Sequence, residues 1–173
     1  MKTIVLPGYS PKNKEWADEI AKQLDLALPA GRQGHEVFVH NWKHWKDGGS
    51  MSIRYEMEKI KEELGEGDFN ILAKSVGSRI AIRVLSEVKG RVNKVILTGI
   101  ASISEDTKKA YEKALADFPP EKIICFQNTK DPFVPYSEVK KFIQGVNPKI
   151  KVIEKPGNEH HYPYYSDFQK FLE

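Results

Sequence analysis

One cysteine, Cys125, is all the thiol chemistry this chain of 173 residues has. A single cysteine closes no internal disulfide, so the fold must hold without cross-links and a reducing compartment is expected. Long apolar runs are missing too. Near the N-terminus only Ile4, Val5 and Leu6 precede Pro7-Gly8, which is too short for a signal peptide. Nothing later approaches the ~20 residues of a membrane span. The expectation is a cytoplasmic protein with no membrane partner. Charge of one sign is also scarce: the formal net charge is +3, and lysines and arginines interleave with glutamates. That pattern describes solvated helix faces and excludes a nucleic-acid partner. There is no internal repeat and no low-complexity tract, which excludes solenoids and linker-rich arrays. What remains is an ordinary globular composition, 40% hydrophobic and 29% charged. At this length it makes one domain, 1–173, with a sizeable core and no room for a second.

Strand and helix signals alternate along the chain. Short β-branched runs fall at 2–6, 35–42, 69–74, 94–98, 122–127 and 151–155. Between them lie helical periodicities at 14–26, 51–64, 76–88, 104–118 and 137–145, and an aromatic helix is predicted at 162–172. Pro29 to Gly34 breaks the pattern as a surface loop. This order predicts parallel strands with helices on both faces and right-handed crossovers. Ligands in such sheets bind beyond the carboxyl ends of the strands, so the residues just after each strand carry the functional signal.

The third strand runs into Ala73-Lys74-Ser75-Val76-Gly77. This is the G-x-S-x-G nucleophile-elbow pattern with alanine in the first small position. A serine that attacks a carbonyl must stand clear of its own backbone, and a sharp strand-to-helix turn achieves that at the cost of strained dihedrals. Asp131 follows the fifth strand and His160 follows the sixth, giving the order Ser, Asp, His along one sheet edge. The chemistry needs each type. A serine hydroxyl requires a base, histidine is suited to be one, and a carboxylate holds the imidazole tautomer. Two backbone N–H groups, of Val76 after the nucleophile and Tyr9 after the first strand, are assigned to the oxyanion hole.

Together with Asp131-Pro132-x-Val134-Pro135, Gly157-x-x-His160 and Leu6-Pro7-Gly8-Tyr9, the elbow resembles the α/β-hydrolase superfamily over almost the whole chain. Length and the loop Asn41-Trp42-x-x-Trp45 are similar to the small, lid-poor serine hydrolases of the retinoblastoma-binding-protein-nine type. The resemblance implies a three-layer α/β/α sandwich with a mainly parallel sheet of about six strands in the order 2-1-3-4-5-6. It implies a catalytic triad of Ser75, Asp131 and His160 that needs no cofactor or metal. The residue before the nucleophile, often histidine in such families, is Lys74. Only 102–121 is available for a lid, so an open cleft is expected. The leading reading is a serine esterase or thioesterase acting on a small-molecule or acylated substrate through an acyl-enzyme, as a monomer or small homo-oligomer. The alternative is a non-catalytic protein-interaction module on a hydrolase scaffold.

Individual residues carry plainer readings as well. Ser75 also suits a helix N-cap, and Ser78 falls a turn into the helix, where it packs or caps. Asp131 before Pro132 is also a turn signal. Spacing from Gly157 favours His160 over His161 as the base, leaving His161 to flank the pocket or face solvent. Ser10 is a pocket candidate at the first strand end. Trp42, His44 and Trp45 either wall an acyl pocket or cover an apolar core edge. Lys74 either attracts an acidic substrate group or reaches solvent. Cys125, among Ile123, Ile124 and Phe126, reads as an inert core residue.

Overall fold

The computed structural model describes residues 1–27 and 36–173; the loop expected at 29–34 lies outside them. Among the described residues the chain runs β1 (Lys2–Leu6), α1 (Asn13–Ala27), β2 (Glu36–Val39), α2 (His44–Asp47), α3 (Ile53–Leu64), β3 (Phe69–Lys74), α4 (Val76–Val88), β4 (Val92–Thr98), α5 (Glu105–Leu115), β5 (Ile123–Asn128), α6 (Tyr136–Val146), β6 (Lys151–Lys155) and α7 (Tyr165–Leu172). Short 3₁₀ turns at Lys89–Arg91 and Pro120–Lys122 lead into β4 and β5. The strands form one sheet in the order β2-β1-β3-β4-β5-β6, with every pairing parallel. This is the architecture and strand order that the resemblance implied.

Strand periodicity explains the layers. Alternate residues of a strand face opposite sides. Ile4, Leu6, Ile71, Ala73, Val95, Leu97, Ile123 and Cys125 enter one core with α3, α4, α5 and α6. Val5, Leu72, Ile96 and Phe126 enter a second core with Trp16, Ala17, Ile20 and Leu24 of α1 and Phe168 of α7. Both faces are covered, so the central strands read as continuous apolar runs. Cys125 is fully buried, and burial pushes its thiol up to about 12. No described helix is long and apolar enough to cross a membrane.

Most element ends fall within a few residues of the sequence expectation, and three departures stand out. β2 ends at Val39 and not at 42, because Trp42 leaves the strand to become fully buried. A short helix, α2, occupies what reads as loop. The last helix starts at Tyr165 and not at 162, since Tyr162 precedes Pro163, and a residue before proline avoids the helical region.

Candidate active site

Ser75 sits between β3 and α4 with φ 57° and ψ −121°, the one positive φ at a non-glycine among the described residues. Such a conformation costs roughly 1–3 kcal/mol and persists only where its surroundings impose it. Here the Ser75 N–H donates to the Thr98 carbonyl (3.0 Å), and the Ser75 carbonyl accepts from the Ser78 N–H (3.0 Å). The Ser75 hydroxyl makes no capping bond to α4, so the N-cap reading fails. Ser78 is buried and turns its hydroxyl back to the Ala73 carbonyl at 3.3 Å. Gly77 is required by close approach. A Cβ there would lie 2.1 Å from the Leu6 carbonyl oxygen and 2.8 Å from that of Pro7. The first turn of α4 therefore rests directly on the end of β1.

Asp131 and His160 are joined. The imidazole Nδ1 lies 2.7 Å from Asp131 Oδ2, and the carboxylate is buried. Burial alone raises the Asp131 pKa, but the hydrogen bonds from His160, Tyr162 and the Phe133 N–H outweigh it and hold the carboxyl below its ordinary value. His160 Nε2 is buried and has no hydrogen-bond partner. The ring packs against Gly99, where a Cβ would come within 2.8 Å of His160 Cε1. Gly99 directly follows Thr98, whose carbonyl holds the Ser75 N–H, so the imidazole rests beside the elbow. The loop that carries His160 is strapped on both sides by Asn128, whose Nδ2 donates to the carbonyls of Glu159 (2.7 Å) and His161 (2.9 Å). His161 is exposed and makes no bond to Asp131; partial desolvation first, and the Lys74 charge second, hold its pKa below the ordinary value.

The segment from Pro7 to Ser10 closes the other side. Trp42 is wholly buried and donates its indole N–H to the carbonyls of Pro7 (3.3 Å) and Gly8 (3.1 Å). Its burial and its bonds to this segment fit the reading of a residue that covers the core edge. His44 Nε2 (2.8 Å) and Trp45 Nε1 (2.7 Å) both donate to the Tyr9 carbonyl. The Tyr9 ring stacks on His44, with centroids 4.4 Å apart, and is 52% exposed. Across the site Phe133 is 64% exposed and meets His160 edge-on at 4.6 Å.

Lys74 does not reach solvent, one of the two courses read from the sequence. It is only 4% exposed, donates to Asn13 Oδ1 at 2.7 Å and lies over the Trp16 ring at 5.1 Å. Desolvation lowers its pKa to about 8, against an opposing pull from Asp131.

Sequence reasoning missed four contributors. Tyr162 donates to Asp131 Oδ2 (2.6 Å) while accepting from the Asn128 N–H (3.2 Å). Burial, first, and the Asp131 contact hold its phenol well above the ordinary range. Asn13, Gly99 and Asn128 fix the loops around the site. Their only sequence signal was position at a strand or helix end.

Comparison with protein-family models and with curated protein sequences gave no match. Solved structures do match. A predicted CIB-like hydrolase from Thermoplasma acidophilum is 17% identical, with TM-score 0.68 over 99% of this chain and 83% of that one. An α/β serine hydrolase without lid from Xanthomonas campestris is 15% identical, with TM-score 0.66 over 99% and 78%. An α/β serine hydrolase homologue from Coxiella burnetii is 16% identical, with TM-score 0.70 over 99% and 83%. The chain has the α/β-hydrolase fold, with a six-stranded parallel sheet.

Proposed function

We propose that this protein is a serine hydrolase that cleaves a carboxylic ester or thioester through an acyl-enzyme. The observation that carries the reading is His160, bonded to buried Asp131 through Nδ1, with Nε2 unpartnered and the ring packed beside the serine elbow. In this mechanism Ser75 Oγ attacks the acyl carbonyl as His160 Nε2 takes its proton. The Val76 N–H, in the first turn of α4 where helix N–H groups have no internal partner, and the Tyr9 N–H stabilise the oxyanion. His160 then returns the proton to the leaving alcohol or thiol. Water, deprotonated by the same imidazole, releases the acid and regenerates Ser75. Asp131 orients the ring and stabilises the imidazolium. The exposed rings of Tyr9 and Phe133 offer apolar surface to a small or protruding acyl group.

A fluorophosphonate probe and a series of p-nitrophenyl esters of graded chain length test this. Wild type labels and turns over; Ser75→Ala does neither. His160→Ala lowers kcat by roughly 10⁴- to 10⁶-fold, while His161→Ala stays within about tenfold of wild type. An unlabelled wild type, or equal labelling of Ser75→Ala, sinks the reading.

A further inference from the structure

We infer that Trp42, His44 and Trp45 are positioning residues that hold the Tyr9 N–H in place for an oxyanion. The inference rests on the serine-hydrolase reading and assigns a purpose to the loop after β2.

Successive carbonyls are gripped along the loop after β1. Those of Pro7 and Gly8 accept from Trp42, and that of Tyr9 accepts from both His44 and Trp45. The Ser10 carbonyl accepts from the N–H (2.9 Å) and the Nδ2 (3.0 Å) of Asn13. A carbonyl only accepts, so His44 carries its proton on Nε2. Peptide planarity turns this grip into an orientation. No described peptide is cis, and in a trans peptide the C=O and the following N–H point in opposite directions. Drawing the Gly8 carbonyl inward to buried Trp42 therefore sends the Tyr9 N–H out on the opposite face. The grip of His44 and Trp45 on the Tyr9 carbonyl fixes the next peptide plane, so Tyr9 is held on both sides and its N–H is free to swing only when that second grip is released. Among the described residues no acceptor meets that N–H. The Pro7 carbonyl also abuts Gly77, which keeps the loop against the first turn of α4.

A loop free to rotate its peptides must reorganise as charge develops, and a fixed donor need not. Three side-chain donors on one side and Asn13 on the other remove that freedom. A plain core role for these aromatics does not require their polar N–H atoms to meet loop carbonyls, yet all three do so.

The test uses Trp45→Phe and His44→Phe, singly and together. Each keeps a ring and loses the N–H, and Trp45 is only partly buried, so folding is expected to survive. Thermal unfolding verifies it. In the folded double variant kcat falls about 10- to 100-fold with KM within about twofold, since only transition-state stabilisation is removed. Fluorophosphonate labelling slows in parallel. Independently of any chemistry, ¹⁵N relaxation of the Tyr9 and Ser10 amides changes from rigid in the wild type to mobile in the double variant. Unchanged relaxation overturns the clamp. Mobile amides with unchanged kcat overturn its role in catalysis. A wild type that takes no label at Ser75 sinks the hydrolase reading, and the relaxation experiment still decides the clamp.

Discussion

Lys74 Nζ donates to Asn13 Oδ1 across 2.7 Å, tying the residue before Ser75 to the first residue of α1. Asn13 in turn holds the Ser10 carbonyl, so β3 and the segment beside Tyr9 share one polar link. The link is built on a buried ammonium group, and that has a consequence for stability.

The folded protein releases the Lys74 proton near pH 8, whereas an unfolded lysine keeps it until about 10.5. Between those values the unfolded chain binds more protons, so raising the pH favours the folded state. Below pH 8 the buried charge costs on the order of 3 kcal/mol. Urea midpoints measured from pH 7 to 10.5 for wild type and Lys74→Met should therefore diverge, the wild type gaining on the variant as pH rises. Parallel curves would show that Lys74 is not titrating in the fold.

Tyr162 supplies the second prediction. Removing its hydroxyl in Tyr162→Phe deletes a donor to a buried carboxylate, a bond worth roughly 1.5–3 kcal/mol. Asp131 has a depressed pKa, so the stability it contributes is present above its ordinary value of 3.8 and is lost as the pH falls through the lower folded value. The gap between wild type and variant should thus stay constant at neutral pH and narrow below about pH 4. A gap that persists in acid would assign the loss to packing and not to the charged bond.

Gly99 supplies the third. Its φ is +55°, and an added Cβ would meet Tyr162 Cε2 at 2.6 Å and His160 Cε1 at 2.8 Å. Gly99→Ala should displace the imidazole by a fraction of an ångström or more and lower kcat by about 100-fold or more. Steady-state kinetics on the same esters measure this. Wild-type kcat in a folded variant would mean that the packing of the ring does not matter to turnover.

Much of this was legible in the residues themselves. The elbow, the order Ser75, Asp131, His160 and the six strands all follow from periodicity and punctuation, because the central strands are buried on both faces and end abruptly. The surroundings were less legible. Trp42 reads equally as a pocket wall or as cover for the core edge, and its bonds to Pro7 and Gly8, 35 and 34 positions earlier, appear only once the chain is folded. Lys74 reads as solvated because lysine usually is, and only the packing of α1 over β3 reveals that it is not. Tyr162 lies 31 positions from Asp131, too far for any local pattern to pair them. Interactions over such separations depend on the assembled sheet.

The contact of Gly77 with the carbonyls of Leu6 and Pro7 is main chain against main chain. No rotamer lies between the two partners, so no exchange of one side chain for another can lengthen or shorten it. The spacing from the Ser75 turn to the end of β1 is in that sense a dimension of the scaffold. Side chains around it are free to change while that dimension stays fixed, in a fold that this chain shares with solved structures at 15–17% identity.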